Sequence, residues 1–266
     1  MEKVAYLGPE GSYSQLAAQK MRPLANHIAK PSFYKVIEAL VNCECDCAVL
    51  PIENSLNGAV LANIDLLQNT KNIAATEEYT LELDHRLATL NGADLGGISC
   101  IYSHEQPLAQ CSEYLLKNFP SAKLIAMPST AASLEMVKSD TEAAIVGAHV
   151  KKEGITLSPR NISDFQQNRT HFLLIKRGEA DKNIKTGKIF FSVTCRHSSG
   201  ALLDILEPMR AGGLNMTKIQ SRPIKNSEGE YRFFIEVEGD YSSEKVRKIL
   251  GGVKDSSMSF CLLGAY

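Results

Sequence analysis

The sequence predicts an α/β layered domain followed by a smaller ferredoxin-like module of β-α-β-β-α-β order. Two observations carry this. From Val4 to Ile175, short apolar runs alternate with stretches of helical periodicity; from Lys188 onward the pattern reads strand, helix, strand, strand, helix, strand. Between them the polar stretch Lys176 to Gly187 reads as a linker. The expected boundaries are 1–177, 178–187 and 188–266.

In order, strands are expected at Val4 to Leu7, Asp46 to Leu50, Cys100 to Tyr102, Lys123 to Met127 and Ala143 to Val146, each a short apolar run. Helices are expected near Ser14 to Met21, Gly58 to Leu67, Pro107 to Asn118 and Thr130 to Val137. An apolar strand then ends at Ile175. In the second module the strands are Lys188 to Thr194, Asn215 to Ile224, Tyr231 to Glu238 and Ser259 to Leu263, and the helices Ala201 to Ala211 and Ser243 to Leu250.

Lys and Arg number 29 against 30 Asp and Glu, a formal net charge of -1, so no global positive field points to nucleic acid or an anionic membrane. The start, Met1 to Pro9, lacks a basic flank and apolar stretch of signal-peptide type, and no later stretch is long and apolar enough to span a bilayer. The expected compartment is the cytoplasm, where seven cysteines are reduced thiols rather than a disulfide framework. Cys43, Cys45 and Cys47 alternate as strand neighbours on one face, but Glu44 and Asp46 lie between them and no second pair has zinc-type spacing. Small residues entering a buried strand is the expected reading, and no metal is assigned.

Several segments carry side chains suited to a small anion. Gln167-Asn168-Arg169-Thr170-His171-Phe172 sets a threonine hydroxyl among cationic, proton-bearing side chains before an apolar run. Gly8 to Ser14 sits at a strand-to-helix junction, where Gly11 and Ser12 could meet a carboxylate; equally, Ser12 or Ser14 could simply cap the helix. Pro51-Ile52-Glu53-Asn54-Ser55 ends a buried strand: Asn54 and Ser55 can donate to substrate oxygens, and Glu53 either orients a neighbour or favours a helix start. Ser103 to Cys111 repeats this, with Ser103 and Gln110 flanking a cleft and Pro107 in the first helical turn. His104 and Cys111 are not read as base and nucleophile, because no third group orients them. Ser129 or Thr130 is an N-cap first and a substrate contact second.

Together, Gly8 to Ser14, Pro51 to Ser55, Ser103 to Cys111, Asn168 to Phe172 and Gln220-Ser221-Arg222-Pro223 resemble the prephenate dehydratase family over essentially the whole chain, including its C-terminal ACT regulatory domain. The resemblance implies a two-lobed, periplasmic-binding-protein-like catalytic domain ahead of the ACT domain. It also implies conversion of prephenate to phenylpyruvate without a cofactor, with loss of carbon dioxide and water. By similarity Thr170 gives the proton, Asn54, Ser103 and Gln110 position the hydroxyl or carboxylates, and Glu53 supports them. Gly11, Ser12, Ser55, Ser129, Thr130, Asn168, His171 and Phe172 are the implied substrate contacts. Gly200-Ala201-Leu202-Leu203, Asn215 and Gln220 to Pro223 match the motifs that hold L-phenylalanine between paired ACT domains. Feedback inhibition and a homodimer or homotetramer follow from that likeness. The start of the chain leaves no room for a fused mutase or dehydrogenase, so a stand-alone dehydratase is expected. An arogenate dehydratase, a non-aromatising prephenate decarboxylase and a catalytically silent amino-acid sensor are the competing readings.

Two positions depart from the family pattern. Asn-x-Thr-Arg-Phe becomes Asn168-Arg169-Thr170-His171-Phe172, replacing a permanently charged bidentate group by one with an ordinary pKa of about 6.5. If protonated His171 carries substrate charge, activity should decline above neutral pH. Glu-Ser-Arg-Pro becomes Gln220-Ser221-Arg222-Pro223, which loses a charge but keeps hydrogen bonding.

Overall fold

The computed structural model describes residues 1–165, 167–224 and 230–266. It divides into two compact units, Met1–Gly58 with Tyr79–Phe172, and Ala59–Glu78 with Leu173–Tyr266.

The first unit begins β1 (Lys3–Leu7), α1 (Tyr13–Met21), β2 (Asn26–Lys30), α2 (Phe33–Val41), β3 (Cys47–Asn54), with the short β4 (Gly58–Ala59) paired to β3. α3 (Leu61–Asn69) belongs to the second unit, and the boundary falls within β5 (Ile73–Glu82). The first unit resumes with β6 (His85–Leu90), β7 (Cys100–Ser103), α4 (Glu105–Gln110), α5 (Ser112–Asn118), β8 (Lys123–Ala126), α6 (Thr130–Leu134), β9 (Glu142–Gly147), β10 (Ile155–Leu157) and β11 (Arg169–Arg177), whose end again crosses the boundary.

Two sheets result in this unit. One has the order β2-β1-β3-β11-β5, and the other β10-β6-β9-β7-β8. β1 is parallel to β2 and β3, while β7 is parallel to β8 and β9. Loops after the C-terminal ends of parallel strands, the usual ligand side of such sheets, therefore include 8–12, 55–57, 104 and 127–129. The second sheet is covered on both faces because its strands alternate: Ala143 and Ile145 of β9 pack with Ile101, Cys111 and Leu115, whereas Ala144 and Val146 pack with Tyr102 and Leu134.

Local chemistry explains most element starts. Ser12, Ser32 and Ser129 each accept a backbone N–H three residues on, capping α1, α2 and α6. The helix expected over Pro107 to Asn118 is divided at Cys111 (φ -116°, ψ 14°). Asp164, from a loop distant in sequence, accepts the N–H groups of Glu113 and Tyr114 at 2.9 Å each and gives α5 its own N-terminal cap. α6 stops at Leu134, short of the expected Val137. Of the three clustered cysteines, only Cys47 starts the strand; Cys45 is buried before it, and Cys43 is exposed in a left-handed conformation (φ 62°).

In the second unit, β12 (Lys188–Thr194), α7 (Ala201–Gly212), β13 (Met216–Pro223), β14 (Tyr231–Glu238), α8 (Glu244–Ser256) and β15 (Ser259–Ala265) follow the expected β-α-β-β-α-β order. The strands stand β13-β14-β12-β15, antiparallel throughout. Phe191, Val193, Ile235 and Val237 face Ile205, Met209, Leu250 and Val253 of the two helices in one core. The result is a mixed α/β chain in both units.

Candidate active site

A cleft of about 220 Å³ in the first unit is lined by Gly8, Ser12 and Tyr13 from the β1–α1 junction, Leu83 and His85, and His104, Gln110, Ser129 and Thr130 from the second sheet's loops. Its lining residues include no Asp or Glu.

Behind this wall runs a chain of side-chain hydrogen bonds. Tyr13 Oη is 2.9 Å from His85 Nδ1, and His85 Nε2 is 2.9 Å from Gln110 Oε1. Asn168 Nδ2 donates to the same Gln110 oxygen at 2.8 Å, and Asn54 Nδ2 donates to Asn168 Oδ1 at 2.8 Å and Thr170 Oγ1 at 3.0 Å. All of these residues except Tyr13 are buried.

Three backbone groups fix the direction of every bond. Leu56 and Asn57 N–H groups can only donate, both to Asn54 Oδ1 at 3.1 Å, and the Arg169 carbonyl can only accept, from Asn54 Nδ2 at 3.1 Å. Asn54 is thereby oriented without ambiguity. Its nitrogen must donate to Asn168 Oδ1, so the Asn168 nitrogen must donate to Gln110 Oε1. That oxygen, an acceptor, requires a proton on His85 Nε2. A neutral imidazole then has its lone pair on Nδ1, where the Tyr13 hydroxyl can donate. Burial lowers the His85 pKa, against the opposing hydrogen bond to Gln110 and the charge of Asp84, which favours this neutral form. The Tyr13 phenol is held well above its ordinary value, by burial first and then by Asp84 and Cys111, so it stays protonated.

Two consequences are chemical. Gln110 Nε2 is a buried donor with no partner among the described residues, on a side chain that lines the cleft. Thr170 Oγ1 accepts from Asn54 and donates to no described residue, so its proton is available and the O–H bond is polarised.

Other expected site residues are placed as follows. Ser12 Oγ donates to the Leu7 carbonyl at 3.0 Å and caps α1 while lining the cleft, so capping and lining coincide. Ser129 likewise caps α6 and lines the cleft. Gly11 offers its carbonyl to His149 Nε2 at 3.0 Å. Ser103 is fully buried and donates to the Ile145 carbonyl at 2.9 Å, inside the second sheet and outside the cleft lining. Ser55 is exposed, exchanging hydrogen bonds with the Gln167 carbonyl and Arg169 N–H, both at 3.0 Å. Glu53 is half-buried on β3, and Phe172 is in the core. His171 shares a β11 face with Arg169, opposite the face of Thr170; its Nδ1 lies 3.0 Å from Thr80 Oγ1, and Arg169 pairs with Glu82 at 2.9 Å. The structure therefore brings together Asn54, Gln110, Asn168 and Thr170, and leaves Ser103, Ser55 and His171 outside that chain.

Tyr13 and His85 were not foreseen as part of the site. His85, a lone histidine in an apolar strand start, carries no local signal. Gly147 makes room for Tyr13 and the neighbouring His149: a Cβ there would come within 2.3 Å of the His149 ring and 3.1 Å of the Tyr13 ring.

Comparison with known proteins shows the family. The family model described as prephenate dehydratase matches residues 4–180. A bifunctional chorismate mutase/prephenate dehydratase of Enterobacter agglomerans is 33% identical over 99% of this chain and 70% of its own. A prephenate dehydratase of Amycolatopsis methanolica is 30% identical over 100% of this chain and 88% of its own. Among solved structures, the prephenate dehydratase of Arthrobacter aurescens in complex with L-Phe superposes with a TM-score of 0.88 at 27% identity, covering 99% of this chain and 89% of that one. A match over most of the chain and relatives at 30% identity or more along nearly all of it place the protein in the prephenate dehydratase family, enzymes of phenylalanine biosynthesis.

Proposed function

We propose that the first unit binds prephenate and converts it to phenylpyruvate, with Thr170 as the proton donor. The ring carboxylate leaves as carbon dioxide, its C–C bonding pair enters the ring, and the C–O bond across the ring breaks. The departing oxygen takes one proton and leaves as water. Aromatisation supplies the driving force, so the protein has to hold the dianion and deliver a proton. The observation that carries this reading is the Asn54-to-Thr170 hydrogen bond, which leaves the threonine hydrogen free to donate. Thr170 keeps 8% of its surface open, and catalytic contacts tighten on substrate binding.

Gln110 Nε2 supplies a fixed donor to a substrate oxygen, with Ser12, Ser129 and Thr130 along the same wall. Asn168 and Asn54 hold the acid and the amide in register, and Ser103 supports the β7 end from within the sheet. The decisive experiment is turnover of prephenate by the native chain and Thr170→Val. Loss in the variant supports the assignment; equal turnover would move the proton donor away from Thr170, and no turnover above a no-enzyme control by either protein would leave a silent carboxylate-binding sensor.

The second unit we read as an ACT regulatory domain that binds L-phenylalanine between paired copies. Gly200, at φ 82° with open space where a Cβ would stand, opens the twelve-residue α7 and lets a carboxylate approach its N–H groups. Asn215 Nδ2 is 2.9 Å from Glu238 Oε2, Gln220 Nε2 donates to the Ser221 carbonyl, and Arg222 pairs with Asp65. β13 is the edge strand of its sheet and exposes Met216 and Ile219, which supports a partner copy there. The absence of a disulfide among the described residues supports a reducing, cytoplasmic setting.

A further inference from the structure

We propose that His85 is a positioning residue for the dehydration: as the Nε2–H tautomer, whose Nδ1 takes the Tyr13 hydroxyl hydrogen, it holds the Gln110 amide with its nitrogen toward the cleft. The inference rests on the dehydratase reading for its kinetic consequence, but its geometry stands independently.

A glutamine amide rotates about a broad, roughly two-fold torsion, and its two orientations differ only in which polar atom faces each neighbour. Asn168 alone gives Gln110 Oε1 one donor. His85 Nε2 gives it the second, at 2.9 Å, from a ring that is 1% exposed and cannot swing out. With both donors on the oxygen, the nitrogen is left for the cleft. If the proton sat on Nδ1 instead, the Nε2 lone pair would repel Gln110 Oε1, and the Asn168 donor alone would oppose a turn of the amide that presents oxygen to the cleft. Substrate carboxylates would then meet an acceptor.

Tyr13 closes the chain at its other end. Its single hydrogen can go to His85 Nδ1 at 2.9 Å or to the Asp84 carbonyl at 3.0 Å. The first choice requires an unprotonated Nδ1, the state the amide chain demands from the other side. The orientation therefore begins at Leu56 and Asn57, where no freedom exists, and closes at Tyr13. His85 is the single link between the amides and the phenol.

The test uses the full chain and two independent measurements. In ¹⁵N-histidine NMR at neutral pH, with the His85 signal assigned by its loss in His85→Gln, a neutral ring protonated on Nε2 is expected. A ring protonated on Nδ1 overturns the proposal. In the kinetic arm, the amide nitrogen of His85→Gln reaches the place of Nε2 and should keep kcat/KM for prephenate within about tenfold of the native value. His85→Met fills the space without a donor and should lose about 10²–10³-fold, the usual effect of one misplaced donor. Adding His85→Met to Gln110→Met should cost nothing further, since the amide to be positioned is gone. Equal losses in the two His85 variants, or additive losses in the double variant, would show a packing role only and overturn the proposal. A native protein that forms no phenylpyruvate would overturn the dehydratase reading alone, and NMR would still decide the tautomer.

Discussion

Replacing Asn54 by aspartate exchanges one NH₂ for an oxygen and leaves shape unchanged, yet it reverses the whole chain behind the cleft. The Leu56 and Asn57 N–H groups still have their acceptor. The other carboxylate oxygen, however, faces Asn168 Oδ1 and the Arg169 carbonyl, both acceptors, and the Thr170 hydroxyl, which accepts in the native chain and must now donate. Asn168 must turn its nitrogen toward the aspartate, Gln110 must then turn its nitrogen toward Asn168, and His85 must move its proton to Nδ1. Every side chain finds a partner in this reversed state, so the fold should survive; the Arg169 carbonyl loses the bond from Asn54 and keeps the one from the Ser55 N–H at 2.8 Å. Four hydrogen bonds to the new carboxylate offset much of its desolvation, and about 1–3 kcal/mol of stability should be lost for the carbonyl's second bond and the residual burial cost. At about 2–4 °C per kcal/mol, a thermal melt would register it. Catalysis suffers twice: Thr170 spends its hydrogen on the new carboxylate, and Gln110 shows its oxygen to the substrate. Loss of one fixed donor costs about 10²–10³-fold and loss of the acid about 10²–10⁴-fold. Initial rates of phenylpyruvate formation should therefore fall at least about 10³-fold in a folded variant. A rate within about tenfold of native would refute the directional chain.

His85 and His149 are both held below the ordinary imidazole pKa, mainly by burial, so they contribute stability that is complete above about pH 6.5 and lost as pH falls through their lower folded values. Denaturant titrations from about pH 7.5 to about pH 5 should show this decline, and His149→Gln should reduce it. Cys111, pushed up to about 12 by burial and then by Asp164, should resist thiol reagents in the native protein and react after unfolding. His171 faces away from Thr170, so His171→Arg should change kcat/KM less than about tenfold and leave the profile flat above neutral pH; a decline that the arginine removes would place substrate charge on His171. Millimolar L-phenylalanine should raise the melting temperature of the native chain, and Gly200→Val, strained at φ 82°, should diminish that rise.

Short apolar runs are enough to place β1, β3, β7 and β9, because buried parallel strands are read from composition alone; β8 is placed by its run Leu124-Ile125-Ala126 although it is mostly exposed. β2, α2, β5, β6 and β10 escaped that reading. β5, with Thr76, Glu77, Glu78 and Thr80 along it, has no clean alternation, and its place follows from pairing with strands distant in sequence. The break at Cys111 was equally invisible, since Asp164 makes it from 53 positions away along the chain, the difference between 164 and 111. Asn54, Gln110, Asn168 and Thr170 could be named as site residues from their motifs. Their bonding directions could not, because those depend on three backbone groups and on a histidine whose partner, Tyr13, is 72 residues away. Ser103 and His171 show the converse: residues inside a recognised motif whose side chains turn into the sheet or to its other face.

The central claim is that Thr170 gives the proton, and the most direct measurement is phenylpyruvate formation from prephenate at neutral pH by the native chain, Thr170→Ser and Thr170→Val, against a no-enzyme control. Serine keeps the hydroxyl and its bond from Asn54 and should retain measurable turnover. Valine keeps the shape, removes the acid and should lose about 10²–10⁴-fold while melting within a few degrees of native. Turnover by the valine variant near the native rate would contradict the account.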